Sequence, residues 1–419
     1  MRILYLHQHY SGPQGATATR SHAMATALTR QGHHVTLLCG RYAGAVTGLI
    51  GGYNRGQREG LLRGIRLVEL DIPYDNAMGL AARAAAFARY AVRASRLALS
   101  QRWDLVIASS TPLTVAIPAL LAQRMRGTPF LFEIRDPWPE LPAALSGLPG
   151  PVLAGMGRLA DAACRRAGAV IALSEGMAQT ALARGAEPGR VHVVPNGCDL
   201  ELFGPHVAPW RPAEAAPWEA LAVYAGAHGR ANGLDQLLDA AGLLQARDER
   251  RLRLLLVGDG AEKPRLMARA GEMGLANVSF LDPMPKRQLA ALLAGCQIGV
   301  QCLAPVPEFA EWTAPNKLMD YLAAGLPVVS TLHGRAGRLL AEGPCGIAPP
   351  PGDAATVAEG LAASLAWLAG HPAQRAAMGR AARDQAVRRW DRRLQAARFA
   401  EIVRLAAARP ATETALVPA

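Results

Sequence analysis

Residues 2–39 read RILYLHQHYSGPQGATATRSHAMATALTRQGHHVTLLC, and this stretch decides the fold. The apolar run at 2–7 predicts a strand, and a glycine-bearing loop at 10–16 opens a helix through Arg30. Gln31-Gly32-His33 ends that helix, and 35–39 predicts the next strand. Two short apolar strands joined by a helix form a parallel crossover unit. The first half repeats it, with strands expected at 65–70, 105–109, 130–134, 170–173 and 191–194 and helices at 80–102 and 114–126. Residues 203–220 (FGPHVAPWRPAEAAPWEA) interrupt the pattern with four prolines and predict a linker. A second series follows, with strands at 222–225, 252–257, 278–281, 298–302 and 328–330. Its helices open near 234, 263, 286 and 316, and helical stretches at 354–369 and 372–407 close the chain. The fold expected is α/β, with two parallel doubly wound domains facing a central cleft lined by the carboxyl ends of both sheets. The expected domains are 1–203, a linker at 204–220, 221–388, a helix at 389–408 returning to the first domain, and a tail at 409–419.

Composition narrows the class. The 419 residues are 51% hydrophobic with 42 Gly and 30 Pro, so the chain can bury real cores. The start lacks the order of a secretion signal, and no uninterrupted apolar run is long enough to span a bilayer. Six scattered cysteines form no Cys-x-x-Cys pair, which suits a reducing, cytoplasmic setting. Net charge is +12, and it is uneven: residues 1–200 hold 21 Arg and no Lys against 12 acids. Such a basic half suggests an anionic partner. Aromatics are only 5% and no recognition motif is present, which argues against nucleic acid. An anionic membrane surface fits better. On the helix expected at 80–102, Leu80, Phe87, Tyr90, Ala94 and Leu97 are apolar, and Arg89, Arg93 and Arg96 recur at spacings of four and three. The same pattern also describes a packed surface helix with a solvated arginine face.

Several motifs fall at strand ends, where this architecture binds ligands. In the loop 12–20 (GPQGATATR), Gly15 would let backbone N–H groups approach an anion, or serve only the turn. The dinucleotide fingerprint G-x-G-x-x-G is absent. In the second series AGAHGRANG (225–233) takes the equivalent place, with Gly226, His228, Gly229 and Arg230 as a phosphate-loop candidate. LVGDG (256–260) puts Asp259 and Gly260 at the end of a buried strand, where Asp259 can bind sugar hydroxyls or cap a helix. The most informative stretch is APNKLMDYLAAGLPVV (314–329). Pro315 starts a helix normally, but Lys317 in the first turn opposes the helix dipole and calls for an anion. Asp320 lies three residues on, so one face presents a cation and a carboxylate. A diphosphate on Lys317 and a ribose diol on Asp320 would explain both; a surface ion pair is the plainer alternative.

Together with SSTPLTV (109–115), FEIRDPWPE (132–140) and VVPNGCD (193–199), these motifs, in this order, resemble a retaining glycosyltransferase of family 4. Its fold is GT-B, two Rossmann-like domains about a cleft. The likeness is to the bacterial O-antigen and capsule branch that includes N-acetylfucosamine transferases. The resemblance implies that Gly15 meets the donor phosphate from the first domain. It places the nucleobase at the backbone around Met284 and the ribose at Asp320, with Asn316 beside Lys317 in the donor site. Arg135 and Asp136 stand where many relatives carry a His-Asp pair beside the reacting sugar. Three departures from the family pattern stand out. The first acid of the family's Glu, seven residues, Glu motif falls on Trp312, with Glu311 off by one; the second acid is Asp320. The Arg and Lys that flank the second-domain glycine loop fall on Ala227 and Asn232, and their task is assigned to Lys317, with Arg230 in reserve.

The expected reaction moves an N-acetylated or deoxy sugar from a UDP-sugar to a saccharide or polyprenyl-diphosphate-linked acceptor, with retention. It would serve cell-surface polysaccharide biosynthesis at the inner membrane face. No Asp-x-Asp pair or His cluster is seen, so no metal or other cofactor is expected. Two other readings use the same fold. A nucleotide-sugar epimerase would need several carboxylates, and only Glu133, Asp136 and Glu140 cluster in the first half. A non-catalytic partner of a membrane glycosyltransferase would tolerate the missing first acid.

Overall fold

The computed structural model describes residues 1–13, 15, 20–75, 77–304, 312 and 316–408, with the side chains of 145 and 146 left out. The Gln14 and 16–19 part of the first glycine loop, Glu311, Pro315 and the tail from 409 lie outside the described residues. The chain forms two compact units, Met1–Pro195 with the returning segment from Arg393, and Asn196–Arg392.

The first unit is built on an eight-stranded sheet. Its strands are β1 (Arg2–Leu6), β2 (His34–Tyr42), β3 (Gln57–Leu62), β4 (Ile65–Tyr74), β5 (Leu105–Ser109), β6 (Phe130–Ile134), β7 (Ala169–Ala172) and β8 (Val191–Val193). Their order is β3-β4-β2-β1-β5-β6-β7-β8, so the winding reverses between β1 and β5. Every residue of β5, β6 and β7 is buried, as a sheet covered on both faces requires. The core joins Ile3, Tyr5, Met24, Leu28, Ile107 and Leu131 to Phe399 and Val403 of the returning helix Arg392–Ala408. The rings of Tyr5 and Phe399 stack with centroids 6.2 Å apart.

The second unit holds β9 (Ala220–Ala225), β10 (Leu252–Val257), β11 (Val278–Leu281), β12 (Ile298–Gln301), β13 (Val328–Ser330) and β14 (Gly346–Ile347), ordered β11-β10-β9-β12-β13-β14. All its ladders are parallel, and the order reverses between β9 and β12. Its core includes Leu237, Leu254, Leu256, Ile298, Val300, Leu361 and Leu365.

The alternation read from the sequence is the observed architecture, with specific corrections. The first sheet is not wholly parallel: β3 pairs antiparallel with β4, and Leu62 faces Ile65 across a turn at Arg63-Gly64 with φ of 50° and 84°. β3 is a polar, partly exposed edge strand with no apolar run to mark it. The helices Glu140–Ser146, Gly150–Arg166 and Glu175–Ala183 were not expected. Gly150–Arg166 buries only Ala160, Ala163 and Cys164, too small a stripe to read. The stretch 372–407 is two helices, broken where Cys198 N donates to Trp390 O at 2.7 Å and Arg392 N returns to Cys198 O at 2.9 Å. Residues 204–220 fall within the second unit, where Trp210 N donates to Ala291 O at 2.8 Å and Arg211 reaches Gly295 O at 3.1 Å.

The helix Leu80–Ser100 turns part of its apolar face inward, while Leu80 stays exposed. Phe87, Tyr90 and Ala94 are buried within the unit, and the Tyr90 hydroxyl donates to Leu38 O at 2.7 Å. Arg89 and Arg96 remain exposed. Among the described residues no helix is long and apolar enough to cross a membrane. All six cysteines are buried and unpaired.

Candidate functional site

In the second unit the site grows from the carboxyl ends of β9, β10 and β12. The helix Asn316–Ala324 is fixed there by Tyr321, whose buried hydroxyl accepts from Ala225 N at 2.8 Å. One turn earlier this places Lys317 against the loop after β9. Its Nζ donates to the Tyr224 hydroxyl at 2.8 Å and to Asn232 Oδ1 at 3.4 Å, and stands 4.0 Å from the Tyr224 ring centre. A Cβ added at Gly226 would lie 2.8 Å from that Nζ, so the missing side chain is what admits the amine. Among the described residues Lys317 has no carboxylate partner. Burial lowers its pKa from 10.5 to about 7.

The loops after β9 and β10 are stitched together beside it. His228 N donates to Asp259 O at 2.8 Å, and Glu262 N donates to His228 O at 3.0 Å. Gly258 and Gly260 have φ of 142° and 155°, and a Cβ on either would strike the Gly226 or His228 carbonyl. The His228 ring is fully buried, 6.0 Å from the Tyr224 ring and 6.3 Å from the Phe280 ring. Among the described residues neither of its nitrogens has a partner. Burial, with Lys263 and Lys317 nearby, brings its pKa down to about 4, so near neutrality it keeps one unspent donor and one unspent acceptor.

Asp320 takes a different partner from Lys317. It is buried, and Lys286 Nζ approaches its Oδ2 at 3.2 Å while lying 5.6 Å from the Phe203 ring centre. The two residues therefore do not form the surface ion pair that their spacing allowed. Asn316 opens the helix, and Met284 lies half-buried just before Lys286. Asp259 is exposed and accepts from Gly260 N at 2.8 Å, which serves its own turn. Arg230 is exposed as well, paired with Glu262 at 3.4 Å.

In the first unit Gly15 N donates to Gly12 O at 3.1 Å, and a Cβ there would collide with Ser11 Oγ. Arg135 Nη1 donates to His7 Nε2 at 2.6 Å, and the other His7 nitrogen meets Ser21 Oγ at 2.7 Å. Asp136 Oδ2 accepts from Thr111 Oγ1 at 2.6 Å. Buried Glu133 is bound by Arg20 Nε at 2.9 Å and Ser109 Oγ at 2.5 Å, and Arg20 also holds the Val194 and Pro195 carbonyls. Glu140 is bound by Arg184. The three carboxylates that an epimerase would need go to three separate partners.

The family described as Glycosyl transferase 4-like domain matches residues 15–197, and the family described as Glycosyl transferases group 1 matches 219–366. The chain belongs to the GT-B glycosyltransferases. Among curated relatives, D-inositol 3-phosphate glycosyltransferase 2 of Catenulispora acidiphila is 32% identical over 42% of this chain and 43% of its own length. The D-inositol 3-phosphate glycosyltransferase of Kribbella flavida is 31% identical over 55% of this chain and 53% of its own. The chain thus spans about half the length of the curated relatives it matches. Among solved structures, sucrose-phosphate synthase from Thermosynechococcus elongatus has a TM-score of 0.74 at 17% identity, over 96% of this chain and 98% of that one. Anabaena HepE in complex with UDP and glucose has 0.66 at 19%, over 96% and 99%. At that identity the structures attest the fold.

The structure brings together Gly226, His228, Asp259, Gly260, Asn316 and Lys317, and sets Asp320 with Lys286. Sequence reading missed Tyr224 and Lys286. Both reach the site from other elements, 93 and 34 residues from their partners. One signal was present. The chain has three lysines among its 45 basic residues, Lys263, Lys286 and Lys317, and all three lie in the second unit with well-covered side chains.

Proposed function

We propose that the protein transfers a sugar from a UDP-sugar to a hydroxyl of a saccharide acceptor, lipid-linked or free, with retention, in cell-surface polysaccharide biosynthesis. The observation that carries this reading is the Lys317 ammonium, covered by Tyr224 and the Gly226 loop, with no carboxylate partner among the described residues. A buried cation with only neutral partners is stabilised by an anion. The donor diphosphate supplies one, with the loop N–H groups and the unspent His228 ring beside it.

In the reaction, the bond from the anomeric carbon to the diphosphate oxygen breaks and the acceptor oxygen bonds to the same face. The acceptor proton passes to the departing phosphate. Lys317 gains most as charge builds on that phosphate. Asp136 and Arg135 orient the reacting sugar from the first unit, and Gly15 leaves room for the phosphate. Asp320, Asn316 and Met284 serve the nucleoside. No metal is needed where Lys317 takes this charge. Any contact with an anionic membrane would run through exposed arginines such as Arg89 and Arg96, and so would weaken with salt.

Trp312, in place of the family's first acid, favours one second reading, a non-catalytic partner of another transferase. A thermal-shift screen against UDP, GDP, ADP, TDP and CDP, with and without magnesium, separates the two. Binding at 100 times the dissociation constant adds about 2.7 kcal/mol of stability. The transferase reading expects a magnesium-independent shift with UDP, followed by donor turnover. No shift with any nucleotide would leave the partner reading standing.

A further inference from the structure

Tyr224 sits near the end of the buried strand ALAVYA, where an apolar residue would serve the core as well. Its ring belongs to the core that holds Leu237 and Leu256. A phenol is costlier to bury than a phenyl ring unless its hydroxyl finds partners. This hydroxyl finds two. It donates to Ala227 O, in the loop after β9, at 2.8 Å, and it accepts from Lys317 Nζ at 2.8 Å. It therefore ties the phosphate-loop candidate to a lysine on another element, 93 residues away from the tyrosine.

Counting protons fixes the direction of these bonds. The hydroxyl has one hydrogen, and Ala227 O takes it, so only lone pairs remain for Lys317. Burial pushes the Tyr224 hydroxyl above its ordinary range, so it neither ionises nor supplies a counter-charge. An ammonium has three hydrogens to give. One goes to Tyr224, a second reaches towards Asn232 Oδ1 at 3.4 Å, and the third has no acceptor among the described residues. A neutral amine would bring a lone pair that needs a donor, and neither of these oxygens has a hydrogen left for it. The ring face, 4.0 Å from Nζ at its centre, favours the ammonium as well. Among the described residues the other titratable groups around Lys317 offer it no charge near neutrality. Burial brings His228, in the same loop, down to about 4 and pushes Cys302, just after β12, up to about 11. Asp320, on the lysine's own helix, is taken by Lys286.

We propose that Tyr224 is the positioning residue of the donor site: its hydroxyl, anchored on the Ala227 carbonyl, keeps the Lys317 amine charged and in register with the loop that faces the diphosphate. Tyr224 acts through Lys317 and touches no substrate. The proposal rests on the transferase reading and adds what holds that reading's lysine ready.

The chain's three lysines make the test direct. Isotope-labelled lysine gives a spectrum of three side-chain signals, in which Lys317 is identified by its loss in Lys317→Met. Titrating the full chain without nucleotide, wild type against Tyr224→Phe, reads the amine itself. Tyr224→Phe keeps the ring and removes only the hydroxyl, and the Lys317 midpoint should fall by about one pH unit or more. UDP binding, measured by calorimetry at each pH, should follow. The ratio of dissociation constants, variant over wild type, should rise from near one at pH 5.5 to about tenfold or more at pH 8, and ionisation of UDP itself cancels in this ratio. A hydroxyl that only builds the loop would weaken UDP by the same factor at every pH and leave the lysine midpoint in place. That result, or a ratio of one throughout, would overturn the proposal. Asn232→Ala, at a half-buried loop position, removes the longer bond and should lower the Lys317 midpoint by less than about 0.3 of a pH unit. A full unit's fall in Asn232→Ala would assign the amine to the amide and overturn the proposal, even if Tyr224→Phe did not fold. Failure of wild type to bind UDP at any pH would sink the transferase reading, and the nucleotide-free titration would still decide what holds Lys317.

Discussion

The carboxyl-terminal edges of the two sheets each carry a buried cation, in opposite conditions. In the first unit Arg20 is enclosed with Glu133, and its remaining donors hold the Val194 and Pro195 carbonyls where that unit's chain ends. Arg20 is therefore part of the architecture. In the second unit, among the described residues, Lys317 meets only a phenol, an amide and a ring face. The comparison teaches that the partner of a buried cation reveals its task. A carboxylate partner means the charge has been settled during folding, and neutral partners mean it is settled when an anion arrives. Lys286 with Asp320 follows the first rule inside the second unit.

Substitutions can break this comparison at either end. The largest effect is expected from Arg20→Met, which removes the ion-pair partner of buried Glu133 and leaves it Ser109 and the more distant field of Arg135. It should cost about 3–5 kcal/mol of stability in urea unfolding. A loss below about 1 kcal/mol would mean that Arg20 is not structural. Asp320→Asn should come next, weakening UDP binding and also destabilising the fold by uncovering Lys286. The double variant Lys286→Met with Asp320→Asn sharpens the point. If Asp320 binds the ribose, stability returns in the double variant and UDP affinity stays low; recovery of both would assign Asp320 to Lys286 alone. The smallest effect is expected from Gly226→Ala, whose added methyl pushes the flexible end of Lys317 aside without removing its charge. A several-fold rise in the UDP dissociation constant with an unchanged melting temperature is predicted. Unchanged affinity would separate Lys317 from the loop.

Much of this was legible in the sequence, for physical reasons that can be named. The doubly wound fold followed from short apolar strands alternating with helices, because strands buried on both faces leave unbroken apolar runs. The hairpin strand β3 was not legible, since an exposed edge strand needs no such run. Lys317 stood out because a cation in a helix's first turn opposes the dipole. Its partner Tyr224 did not, because a tyrosine inside the apolar run ALAVYA reads as core. Asp320 was visible as a motif acid, but the lysine that binds it lies on another helix, where spacing carries no information. The arginine face of the helix Leu80–Ser100 was legible as a pattern. Phe87, Tyr90 and Ala94 on its apolar side belong to the unit's own core, and periodicity alone cannot say which surface an apolar stripe covers.

The central claim is that Lys317 must be charged to hold the donor diphosphate. Because burial brings its pKa to about 7, the free chain loses this charge as pH rises through 7. Binding that needs the ammonium is full below that point and falls above it. Calorimetric titration of UDP between pH 6.5 and 8.5, on wild type and Lys317→Met, tests this directly. The wild-type dissociation constant should rise by up to about tenfold per pH unit above 7, with proton uptake on binding. Lys317→Met should bind at least about tenfold more weakly at pH 6.5, a loss of roughly 1.4 kcal/mol or more, and show no such dependence. A wild-type affinity that is flat across this range, or a Lys317→Met variant that binds UDP as wild type does at pH 6.5, would contradict the account.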